Sequence, residues 1–155
     1  MSRFLVSVAL LLAIGSGCAQ EPTDATPDGT LQLFLVAMDR SGFDAEARED
    51  AYHLLCEEAR QRLGRRAERA TALARRDFQP WEMLAQGRYR LRFSARPEDG
   101  ISAEIDGDRA TVVVRGRSGQ EARVPMRREE GRWCIHLDIP LLEHAGTRVP
   151  RAPAE

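Results

Sequence analysis

The chain predicts an α+β domain, with N-terminal helices packed on a curved, cone-like antiparallel sheet of four to five strands. Two observations carry this prediction. Apolar residues recur at helical spacing from Leu31 to Ala74, then at strand spacing from Tyr89 to Ile139. The later runs are separated by turns too short to hold a crossover helix. Helices first and strands afterwards place the helices on one face of a meandering sheet.

Asp28-Gly29-Thr30 opens the first helix with a capping residue, and Leu31, Phe34, Leu35 and Met38 form its apolar stripe. Ser41-Gly42 ends it. Ala47, Ala51, Leu54 and Leu55 repeat the pattern with Tyr52 beside them. Leu63, Ala67, Ala70, Leu73 and Ala74 then extend that helix, or form another after a break near Cys56. Gly64 costs about 1 kcal/mol against Ala in a helix and marks a place to bend. Gln79 to Gly87 is a short helix with Pro early and Gly last. Tyr89, Leu91, Phe93 and Ala95 alternate with polar residues, which is strand spacing. Ile101 to Ile105, Ala110 to Arg115, Ala122 to Met126 and Trp133 to Ile139 follow, with turn signals at Asp106-Gly107-Asp108, Gly116 to Gly119 and Glu129 to Gly131.

Ahead of the domain, Phe4 to Ile14 is an 11-residue run, apolar apart from Ser7, behind Arg3. Crossing a bilayer takes about 20 apolar residues, so the run fits a signal h-region and not a span. Gly15-Ser16-Gly17-Cys18 follows and resembles the bacterial lipobox, with Gly15 where Leu is usual. The resemblance implies that residues 1–17 are a removable signal and that Cys18 carries the lipid. Cleavage after Ala19, with Cys18 an ordinary residue, is the alternative. Two or three acyl chains anchor firmly where one binds marginally. Ala19-Gln20, with no Asp after the Cys, implies the outer membrane, facing the periplasm. Residues 18–29 are the lipidated Cys and a flexible tether, whose coil spans about 18 Å. Residues 30–139 are the domain, and 140–155, with three Pro, a disordered tail.

Removing 17 of 155 residues leaves 138, one domain of ordinary size. Net charge is −1, and all 23 basic residues are Arg. Nucleic-acid binders are usually strongly basic, so no nucleic-acid partner is expected. With Cys18 lipidated, Cys56 and Cys134 remain. An oxidising envelope permits a disulfide between them, but sequence leaves open whether they meet or are two separate half-buried residues. Without a CxxC or HxxxH, neither a metal site nor a cofactor is expected.

Several segments recur in a familiar order: Ala51 to Leu55 (AYHLL), Arg60 to Leu63 (RQRL), Asp106 to Val112 (DGDRATV) and Arg128 to Trp133 (REEGRW). Together they resemble the nuclear-transport-factor-2-like superfamily, the cystatin-like cone, and its small bacterial lipoproteins of uncharacterised role. The resemblance implies the cone but no single activity, because fold does not settle function.

Acid/base chemistry in such a cone would draw on Asp39, Tyr52, His53, Tyr89, His136 or Asp138. His136 and Asp138 are two residues apart on the last strand, where they form either a polar pair with a tuned pKa or part of a solvated face. Arg65-Arg66 and Arg75-Arg76 read as a solvated, internally paired face, or as contacts to anionic headgroups. Trp81 and Met83-Leu84 are core or a pocket mouth. The expectation is a non-catalytic envelope module that binds a protein partner or a small apolar ligand. The alternatives are a small enzyme moving a proton on an apolar substrate, and an assembly accessory that forms homodimers through its open sheet.

Overall fold

The computed structural model describes residues 22–86, 91–96 and 100–140. The signal 1–17, Cys18, tail residues 141–155, Gly87 and Tyr89 lie outside the described residues. Helices α1 (Pro27–Arg40), α2 (Ala45–His53) and α3 (Glu57–Leu73) come first, followed by a 3₁₀ segment, Pro80–Gln86. Strands β1 (Ile101–Asp106), β2 (Arg109–Arg115), β3 (Glu121–Glu129) and β4 (Arg132–Ile135) form one antiparallel sheet in sequence order. The helices pack against this sheet, which does not close.

Helix α1 starts earlier than its sequence suggests. Thr26 is the N-cap, its hydroxyl accepting from the Gly29 N–H at 3.2 Å, and Pro27 takes a first-turn position that needs no donor. Just upstream, the Asp24 carbonyl accepts from Trp133 N–H at 3.0 Å. The stretch expected to be tether therefore joins the domain from residue 24 onward, because β4 is an edge strand whose outward N–H groups need acceptors. The predicted break at Cys56 is real: α2 ends at His53 and α3 begins at Glu57. No bend occurs at Gly64, where α3 runs through and an added Cβ would meet nothing within 4 Å.

Among the described residues there are four strands, not five. The stretch 91–96 touches the sheet through one bridge, Ala95 to Gly116, and one bond from Arg96 N–H to the Arg115 carbonyl. Gly116 begins the turn into β3, so the segment has no longer partner to pair with. The β3–β4 turn places Glu130 and Gly131 at φ 51° and 83°, the two positive angles of a tight primed hairpin.

The core lies between the helices and one sheet face. Leu31, Phe34 and Met38 of α1, Leu63 of α3, and Val112, Val114, Met126, Trp133 and Ile135 of the sheet all fall within one buried cluster. Ile139, the last core residue, is also fully buried there. Thr30, fully buried in α1, satisfies its hydroxyl on the Thr26 carbonyl at 2.9 Å and reaches the Trp133 carbonyl at 3.4 Å. No described helix is long and apolar enough to cross a membrane.

Candidate functional site

The β4 edge is where distant parts of the chain converge. Ile135 N–H donates to the Leu54 carbonyl at 2.9 Å, and Cys56 N–H donates to the Ile135 carbonyl at 3.0 Å. Residues 54–56 thus lie parallel to β4 for one bridge, Leu55 to Ile135. This pairing sets the Cys56 and Cys134 Cα atoms 4.9 Å apart, and their Sγ atoms are bonded across 78 residues of sequence. Cys56 is also the N-cap of α3, but its side chain caps nothing. The first N–H of that helix, on Glu57, donates instead to Glu129 Oε2 of β3 at 2.9 Å. A carboxylate, a helix start and two sulfurs therefore meet at one point. Cys134 and Glu129 open onto a cleft of about 370 Å³ that is also lined by His53, Arg60, Arg132 and Trp133.

His136 and Asp138 do not share a strand. Pro125 of β3 accepts from His136 N–H at 2.9 Å but has no N–H to return, and β4 ends at Ile135. Beyond it the chain folds tightly, with Ile139 N–H donating to the Leu137 carbonyl. The alternation that would put the two side chains together is lost. Asp138 is exposed and takes Arg62 at 3.1 Å, whereas His136 Nε2 faces the Arg127 guanidinium at 3.4 Å. His136 lines a second cleft of about 410 Å³ with Glu104, Thr111, Pro125 and Arg127.

The other expected residues have ordinary surroundings. His53 is exposed, its Nε2 3.8 Å from Glu49. Asp39 is exposed beside a cleft between α1 and residues 91–95. Tyr52 meets Trp81 edge-on at 6.2 Å, and burial raises its phenol pKa above the usual value. Leu84 is fully buried and Met83 packs on the core, so this segment is core and not a pocket mouth. Arg76 stacks 3.6 Å over Phe78 and pairs with Glu82 at 2.9 Å. The Gln79 N–H, then Arg76, hold the Glu82 carboxyl below its usual range. Arg66 donates to the Pro140 carbonyl at 3.0 Å, while Arg65 and Arg75 are exposed.

Two residues carry more than their sequence context indicates. Arg62 binds Glu58, Asp138 and the Ile139 carbonyl, tying the exit of the sheet to α3. Glu129 reads as a turn residue, yet it supplies the missing cap of α3. No local signal marks either role, because Asp138 and Ile139 lie far along the chain from Arg62, and Glu57 far from Glu129.

No family model matches the chain, and neither does a curated protein or a solved structure.

Proposed function

We propose that this chain is a lipid-anchored protein of the bacterial envelope whose domain works by non-catalytic contact with another protein. The observation that supports the domain half is the filled inner face of the sheet. Leu31, Phe34 and Met38 meet Val112, Val114 and Met126 there, each at most 3 % exposed. An apolar ligand held between the helices and the sheet would need that volume. Among the described residues, the shifted pKa values belong to a phenol desolvated by packing and to two half-buried carboxylates that accept from backbone N–H groups. Helices followed by a meander suit the nuclear-transport-factor-2-like cone, which we hold as the proposed relative.

The anchor half rests on Gly15-Ser16-Gly17-Cys18 behind its 11-residue apolar run. Mass spectrometry of the mature N-terminus tests it. The expected result is an acylated Cys18, with a Cys18→Ser chain passing to the soluble fraction. A first peptide beginning at Gln20 without acyl mass rejects the anchor. For the domain, a photo-crosslinker at Asp106, beside the His136 cleft, is expected to give one discrete protein adduct in native membranes. Finding only uncrosslinked chain counts against a protein-binding role at that face.

A further inference from the structure

We propose that the reduced form of the Cys56–Cys134 pair, together with Glu129, is a binding site for one soft divalent cation, zinc above all. Ligand atoms of the three residues already lie within 4.8 Å of one another. A tetrahedral zinc with sulfur ligands at about 2.3 Å spreads its ligand atoms to about 3.8 Å, so the sulfurs part once their bond is broken and the Glu129 carboxylate draws in by about 1 Å to give three ligands. Two thiolates and a carboxylate are a donor set that suits zinc and cadmium and is poor for magnesium or calcium.

The geometry does not depend on the disulfide. The Leu55–Ile135 bridge and the Cys56 N–H bond to the Ile135 carbonyl are backbone contacts, and they keep the sulfurs adjacent when the bond between them is broken. Glu129 is likewise held in place by the Glu57 N–H through Oε2, which leaves Oε1 for the metal. Cys56 stands at the N-terminus of a 17-residue helix, whose field favours anionic groups placed there. Cys134 and Glu129 both line an open cleft, from which water would supply the fourth ligand.

The redox step balances simply. A dithiol or phosphine reductant supplies two electrons, two protons are taken up, and the disulfide becomes two thiols. Metal binding then releases those two protons as the thiolates coordinate. A small-molecule disulfide reverses the step: it takes up the two electrons and two protons and leaves as two thiols, while the Cys56–Cys134 bond re-forms and the ion departs, so the site exchanges a covalent crosslink for a coordinate one. This inference is independent of the anchor and of any partner protein.

The test is cadmium titration of the phosphine-reduced full chain without oxygen, followed by zinc competition. The expected result is a sulfur-to-cadmium absorption band that saturates at one equivalent and does not form in the oxidised chain. Cys134→Ser is expected to remove the band, and Glu129→Gln to weaken zinc binding by about 10-fold or more. Circular dichroism of the reduced wild-type chain is recorded alongside. A folded reduced chain with no band overturns the proposal. So does a reduced chain that loses its fold, since the backbone bridge must hold the thiols together. Unchanged zinc affinity in Glu129→Gln removes the carboxylate from the site and with it the proposal as stated.

Discussion

Val112 and Val113 are neighbours in β2, and neither exposes any surface, yet they are buried by different means. Val112 faces the helices and belongs to the apolar cluster with Phe34 and Met126. Val113 faces away, where its cross-strand neighbours are Ser102 and Arg123. There Arg123 is held by Glu104 at 2.8 Å and Glu121 at 3.5 Å, and Arg115 reaches Ser102 at 3.2 Å. Long charged side chains cover apolar surface with their stems while their heads stay in water. One face of the sheet is sealed by a packed core and the other by a lattice of ion pairs. Burial alone therefore does not identify a core position; what covers the residue does.

The largest test concerns the crosslink that ties the charged face to α3. Replacing Cys56 and Cys134 by Ser is expected to cost about 4 kcal/mol, because 78 residues of unfolded chain are no longer closed into a loop. Urea unfolding of oxidised and double-serine chains measures it. A loss below 1 kcal/mol would mean that the backbone bridge alone holds the β4 edge. Next in size is the contrast within β2. Val112→Thr puts a hydroxyl into a dry core at about 1–3 kcal/mol, whereas at Val113 the same change finds polar neighbours and costs under about 1 kcal/mol. Equal costs in thermal melts would erase the distinction between the faces.

Smaller still is Arg123→Ala. Exposed pairs contribute roughly 0–1 kcal/mol each, and molar salt is expected to shrink the difference from wild type. The smallest effect lies outside the sheet. Asp44 caps α2, and its carboxyl is held below its ordinary value of 3.8 by the Ala47 N–H first and by Arg40 second. Because the folded-state pKa is depressed, this contribution is complete above 3.8 and disappears as pH falls through the lower, folded value. Asp44→Asn keeps a capping oxygen and is expected to flatten the acid limb of the stability curve. An unchanged limb would assign that dependence to other carboxylates.

Much of the architecture is written locally. The stripe of Leu31, Phe34 and Met38 identifies α1 and its buried face. The hairpins at Gly107 and Gly131, both at positive φ, need no knowledge of the rest of the chain. Errors cluster where a residue's state depends on a partner far along the chain. The run from Leu91 to Ala95 has strand alternation, but its described part meets the sheet at a residue where the neighbouring strand is already turning. His136 and Asp138 have the right spacing for one face, but Pro125 on another strand stops the ladder that would align them. Residues 24–26 look like linker by composition, and are drawn into the domain by an N–H of β4.

The sequence by itself determined the order of helices and strands, the turns between them and the face each helix buries. These follow from periodicity and from the conformational limits of Gly and Pro, which act within a few residues. It also contains Gly15-Ser16-Gly17-Cys18, on which the proposed anchor rests. Only the tertiary structure decided that Cys56 meets Cys134, that Glu129 caps α3, and that Arg62 and not His136 takes Asp138. Those contacts are set by chain crossings at one edge of the sheet, and strand register, unlike helical period, is a property of two segments and not of one.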